Sequence, residues 1–237
     1  MSPFSRQLLR RACVLLPALP LILLCLSCNG FFVSESSIQS DTISPSAVFL
    51  KSGVTPADSY SGMNSSTETV GGTTATNTTT ATWTSAQTSI VTVSSAGVLT
   101  VGTATSGNTT VTATASGVTS NPCTVILYTG AAPTTITVGS QTGGVTFASG
   151  TTFQAIASAT FPGDPTLSTS GAITPYVTWS ISDTTGTVAT INSSTGIVTV
   201  INAATPFTVT ATATFGAADT STNPLTATSL QFNGTLI

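Results

Sequence analysis

Apolar and polar residues alternate over short stretches along most of the chain, and the stretches are bounded by Gly, Asn, Ser and Pro. A period of two in short runs predicts antiparallel strands with one buried face. In Val111-Thr112-Ala113-Thr114-Ala115 the Val and Ala side chains fall on one face and the threonines on the other. Small alanines let a facing sheet approach closely, while the hydroxyls meet water. In the run from Cys123 to Leu127, Cys123 shares a face with Val125 and Leu127. It is therefore expected to be a small buried hydrophobe, since no neighbouring Lys, Arg or His is present to stabilise a thiolate. No helical pattern of comparable length is visible.

The strand pattern occurs twice. Ala81-Thr82-Trp83-Thr84 leads to Ile90-Val91-Thr92-Val93, a Ser95-Ala96-Gly97 turn, Val98-Leu99-Thr100-Val101 and Val111–Ala115. Val177-Thr178-Trp179-Ser180 leads in the same order to Val188-Ala189-Thr190-Ile191, Ser194-Thr195-Gly196, Ile197-Val198-Thr199-Val200 and Val209-Thr210-Ala211-Thr212-Ala213. The tryptophans stand 96 residues apart and the closing Val-Thr-Ala-Thr-Ala runs 98 apart. Each copy thus carries its own large aromatic and its own apolar strand faces, which predicts two β-sandwiches in tandem. Their identical places in the two copies make Trp83 and Trp179 core residues rather than sugar-stacking platforms.

The order of these residues resembles the bacterial Ig-like group 2 family, the modules of intimin-type and invasin-type surface proteins. Ile43-Ser44-Pro45 with Gly53 matches the family's opening strand, Gly150–Ala155 the strand after its Gly-Thr turn, and Gly97 and Gly196 its hairpin. The resemblance implies an all-β chain of two tandem immunoglobulin-like antiparallel β-sandwiches, at residues 41–128 and 133–237, joined by a short linker at 129–132. Two stretches depart from the family pattern: 58–80, rich in Ser, Thr, Asn and Gly, and Pro162–Pro175. Both are expected as surface loops, where scaffolds of this kind place recognition.

The N-terminus reads differently. Arg6, Arg10 and Arg11 precede an almost unbroken apolar stretch from Ala12 to Ser27, interrupted by Pro17 and Pro20. This is the pattern of a signal peptide, and the stretch is shorter than the roughly 20 residues a spanning helix needs. Leu26-Ser27-Cys28 resembles the lipobox of bacterial lipoproteins, although Cys25 stands where the family has Leu. The resemblance implies cleavage after residue 27 and lipidation of Cys28. Asn29, in place of a retaining Asp, is compatible with passage to the outer membrane. Residues 28–40 are then a tether.

Composition sharpens this picture. Charged residues make up 5% of the chain and hydrophobic ones 40%, while 52 positions are Thr. Low charge with this much apolar content argues for a folded core, and Thr, with its branched Cβ, suits half-exposed strands. Without residues 1–27, Lys51 alone faces Glu35, Asp41, Asp58, Glu68, Asp164, Asp183 and Asp219, a net charge of −6. One lysine cannot neutralise a run of phosphates, so nucleic acid is excluded as a partner. With Cys13 and Cys25 in the signal and Cys28 acylated, Cys123 has no disulfide partner.

Candidate chemistry is sparse. The chain has no His to activate a Ser, Thr or Cys nucleophile, and Lys51 falls on an expected edge strand. The seven acids are scattered singly in turn-like contexts. No enzymatic role, cofactor or metal centre is expected, with a single calcium ion between the copies, held by Asp183 or Asp219, left open. Two functions remain: a lipid-anchored adhesive or spacer module of the cell surface, with protein or polysaccharide partners, or a carbohydrate-binding module. The second would use exposed aromatics such as Tyr60, Phe161 or Tyr176.

Overall fold

The computed structural model describes residues 38–69, 74–76, 81–218, 225–226 and 230–234. The expected signal peptide 1–27, Cys28, most of the tether and Asp219 lie outside the described residues. Nearly all regular structure is strand, as the period of two predicts, and helical content among the described residues is confined to 3-10 turns such as Thr174–Tyr176.

Residues 38–128 form three sheets. β1 (Ile38–Ser44), β4 (Asn64–Thr69) and β5 (Thr74–Thr76) make one, in that order. The second runs β10 (Val118–Thr119), β9 (Gly107–Ala115), β11 (Cys123–Tyr128), β2 (Ala47–Lys51), with β6 (Thr82–Ser85) also on β9. The third is β3 (Ser59–Tyr60), β8 (Leu99–Val101), β7 (Val91–Val93). Residues from 136 onward form two sheets. One is β12 (Ile136–Ser140), β14 (Thr152–Ala159), β17 (Ile197–Val200), β16 (Ala189–Ile191). The other is β13 (Thr146–Phe147), β20 (Leu230–Gly234), β18 (Phe207–Ala213), β15 (Thr178–Ile181), with β19 (Leu225–Thr226) also on β18. Pairing is antiparallel except β2 with β11 and β13 with β20. These ladders stay within one half of the chain.

The alternation has the expected physical result. In β18, Phe207, Val209, Ala211 and Ala213 are buried and the intervening threonines are half-exposed. β14 does the same with Phe153, Ala155, Ala157 and Ala159. Each large apolar side chain so buried contributes roughly 1.5–3 kcal/mol.

One expectation needs correction. The stretch 58–80 was expected as a loop, yet it carries β3, β4 and β5. Its inward positions are Met63, Ser65 and Thr67, all buried, so hydroxyls occupy places where an apolar residue would have revealed the strand. Ser65 Oγ donates to Asp41 Oδ1 at 2.8 Å. The stretch Pro162–Pro175 is a loop of turns at the surface, as expected, pinned at a few points: Ile173 is buried, Leu167 lies against the core, and Gly171 N and Thr174 Oγ1 bond back to Ser158 Oγ and the backbone of Ala157 on β14. Strands β2 and β11 depart from the alternation, because Ala47–Leu50 and Val125–Tyr128 are buried on both faces.

Candidate functional site

The two tryptophans occupy matching places. Trp83 on β6 lies opposite Ala113 of β9, and Trp179 on β15 lies opposite Ala211 of β18. The hairpin glycine of each half lies flat on its ring. Gly97 and Gly196 have φ of 78° and 73°. A Cβ on Gly97 would stand 3.0 Å from Trp83 Cε2, and one on Gly196 only 2.7 Å from Trp179 Cε2. Two constraints thus require glycine there: the left-handed backbone and the ring. Trp83 is 8% exposed and Trp179 2% exposed, and both Nε1 atoms are buried without a hydrogen-bond partner. They are core residues, not platforms.

Cys123 is fully buried with Val125 and Leu127 in the core of the first half, and burial pushes its thiol up to about 12. The same environment raises the Tyr60 hydroxyl, chiefly by burial and secondarily through Cys123. Of the other aromatics weighed for sugar binding, Phe161 is 2% exposed and belongs to an aromatic cluster, which removes it as a platform. Tyr176 is half-buried with its ring edge-on to Phe49 at 6.1 Å.

The carboxylates serve as hydrogen-bond acceptors, Asp183 and Asp164 within their own turns and Asp58 across a long span of sequence. Asp183 accepts from Thr185 Oγ1 at 2.6 Å, Thr185 N at 2.9 Å, Val188 N at 2.6 Å and Ala189 N at 3.2 Å. The Thr185 hydroxyl first, and then the Val188 N–H, hold its carboxyl well below the usual range. Asp164 accepts from Thr166 Oγ1 at 2.6 Å. Asp58, 2% exposed, takes Lys51 N on Oδ2 at 2.8 Å, and Ser59 N at 2.8 Å and Ala218 N at 2.7 Å on Oδ1. Asp41 Oδ2 is buried without a partner. Among the described residues no three His, Cys, Asp or Glu side chains converge as a metal site would require. No helix among them is long and apolar enough to cross a membrane.

Two concavities stand out. One, of about 340 Å³, is lined almost wholly by hydroxyls, including Thr135, Thr137, Ser158, Thr160, Ser168 and Ser170, with no aromatic or charged side chain. The other, of about 380 Å³, lies where Val54–Ser59 of the first half meet Ala217 and Ala218 of the second. Neither Asp58 nor Ala218 is marked for this meeting by the repeat pattern. A signal for it existed: two strands of consecutive apolar residues, the mark of burial on both faces.

No protein-family model matches the chain, and no curated protein matches it either. Among solved structures it is similar to domains 5–6 of the S-layer protein SbsC, at 15% identity over 84% of this chain and 97% of that one, with a TM-score of 0.32. Domains 4–9 of SbsC give 18% identity over 84% of this chain and 32% of that one, TM-score 0.32. The Yersinia pseudotuberculosis adhesin InvE gives 16% identity over 82% of this chain and 58% of that one, TM-score 0.28. The chain spans nearly all of the two-domain SbsC fragment, about a third of the six-domain one and little more than half of InvE.

Proposed function

We propose that the chain is an exported, lipid-anchored, non-enzymatic module of the cell surface, acting as a spacer or adhesive element built from two tandem bacterial Ig-like sandwiches. In this reading residues 1–27 are the signal peptide, Cys28 carries the lipid, residues 28–40 are the tether and the first sandwich occupies 41–128. The second sandwich occupies 133–237 after the 129–132 junction. The membrane is reached through the lipid, and any protein or polysaccharide partner meets a surface of strand-borne threonines.

The observation that carries the reading is the fate of the side chains able to do chemistry. Both tryptophans and Cys123 are core, while Asp58, Asp164 and Asp183 accept hydrogen bonds from backbone N–H groups that they hold in place. Residues spent this way build a scaffold. The location rests on the Arg6–Cys28 pattern, where each acyl chain contributes about 0.8 kcal/mol per buried CH₂ to membrane binding.

Mass spectrometry of the chain recovered from a bacterial envelope tests the anchor. The expected result is an N-terminal acylated Cys28 that is lost in Cys28→Ser. A mature chain beginning elsewhere without lipid overturns it. Antibody labelling of intact cells separates display on the surface from retention facing the periplasm.

A further inference from the structure

The outward faces of β2 and β11 meet the second half of the chain. Val48 and Leu50 point into the core around Trp83, whereas Phe49 and Tyr128 join the cluster that contains Trp179. Phe49 stacks on Phe215 at 5.2 Å and lies 5.5 Å from Phe161, and Tyr128 meets Phe161 edge-on at 5.4 Å. The free edge of β2 is closed by the same segment, since Phe49 N donates to Thr214 O and Gly216 N donates to Phe49 O, each at 2.9 Å. Asp58 then fixes the end of that segment through Ala218 N. On the other side Ala131 N donates to Pro162 O at 3.2 Å and Thr129 Oγ1 to Gly163 O at 3.1 Å. A hinge at this junction would wet the aromatic cluster, open a strand edge and take a backbone donor from a buried carboxylate.

We infer that the two halves form one cooperative unit, locked at their junction by the Phe49–Phe215 plug and the Asp58 clamp, so that neither moves nor unfolds independently of the other. The second half completes the first: it covers the face and the edge of β2 that the first half leaves bare. A spacer locked in this way transmits a pull as a stiff element instead of bending between beads. The lock itself belongs to the body of the protein and stands whether or not Cys28 is acylated.

Each half carries one tryptophan, which supplies the test on the full chain. Trp83→Phe leaves Trp179 to report on the second half, and Trp179→Phe leaves Trp83 to report on the first. In each variant the fluorescence transition should coincide with the loss of far-ultraviolet circular dichroism of the whole chain. Adding Phe49→Ala, which strips a side chain pointing away from the Trp83 core, should lower the Trp179 midpoint by about 5–10 °C. A Trp179 midpoint untouched by Phe49→Ala, or dichroism falling in two steps, overturns the inference. Should Phe49→Ala leave the first half unfolded outright, Gly130→Ala decides. Its φ is 78°, and its added Cβ would run into the carbonyl oxygen of Pro162. Both reporters moving together sustains the lock, and one moving alone refutes it.

Discussion

The two halves execute the same strand pattern with different interiors. Around Trp179 the core is aromatic: Phe153, Phe161, Phe207, Phe215 and Phe232 are buried, and Phe147 stacks on Phe153 at 3.9 Å. Around Trp83 it is aliphatic, and one layer of it is polar, with Asp41, Ser65, Thr67 and Ser120 buried. The connection after the Trp strand differs too. In the first half Gln87 O receives Ile90 N and Val91 N, both at 3.1 Å. In the second the side chain of Asp183 receives the corresponding pair, Val188 N and Ala189 N. The Trp-bearing sheet and the Trp–Gly packing are common to both copies, while the opposite sheet, split into β1-β4-β5 and β3-β8-β7 in the first and continuous as β12-β14-β17-β16 in the second, the filling of the core and the closing of turns diverge.

The largest separation of the halves should come from their tryptophans. Trp179→Ala and Trp83→Ala are each expected to cost about 3–5 kcal/mol, with Trp179 at the upper end because its surroundings are aromatic and more completely closed. Denaturant midpoints of the two variants decide the order. Equal stability to the parent in either would remove that tryptophan from the core.

Next come the glycines under the rings. Gly196→Ala sets a methyl 2.7 Å from Trp179 on a backbone at φ 73°, and Gly97→Ala sets one 3.0 Å from Trp83. Each change is expected to cost about 1–3 kcal/mol, Gly196 more than Gly97. Gly150→Ala separates the two causes, since φ is 80° there and nothing lies within 4 Å of the added Cβ. Its cost should be about 1 kcal/mol, the backbone contribution alone.

Much of this was legible in the sequence because the repeat aligns chemistry with geometry. A Trp opposite the third residue of Val-Thr-Ala-Thr-Ala, and a glycine in the hairpin that follows, are local signals, and both survive in register. The polar layer was not legible. Strand β4 turns Ser65 and Thr67 inward, so its pattern of burial is hidden among residues that look alike on both faces. Nor was the junction, because Asp58 and Ala218 are 160 residues apart and the carboxylate reads only a backbone N–H, which any residue at 218 except proline would supply. Phe161 looked like a loop aromatic for the same reason: its partners Phe49, Tyr128 and Phe215 come from distant strands and connections.

A smaller effect tests the polarity of the first core. Cys123→Ser exchanges a buried thiol for a hydroxyl among Val111, Val125 and Leu127, and is expected to cost about 1–3 kcal/mol. Native Cys123 should resist a thiol reagent near neutral pH, with labelling that follows unfolding, because burial holds the thiol up at about 12. Rapid labelling of the folded chain would contradict its place in the core.

The smallest effect, and the one that addresses the turn chemistry directly, is pH dependence at Asp183. The folded carboxyl titrates below its unfolded value of about 3.9 because the charged form accepts from the Thr185 hydroxyl and the Val188 and Ala189 N–H groups. A depressed folded value means that the unfolded chain binds the proton more readily, so the contribution to stability is complete above the unfolded value and fades as pH falls through the folded one. Asp183→Asn should therefore lower the thermal midpoint at pH 6, and the gap to the parent should close as pH is taken from 5 towards 2. The residue is half-exposed and water screens its charge, so the gap is expected to be modest. In the first half the matching acceptor is the backbone carbonyl of Gln87, which does not titrate and which Gln87→Ala retains, so that change should leave the midpoint nearly unchanged at every pH. A gap for Asp183→Asn that stays constant down to pH 2 would mean that the turn does not use the charge on Asp183, whereas the absence of any gap would mean that it needs only an oxygen there, as the first half does with a carbonyl.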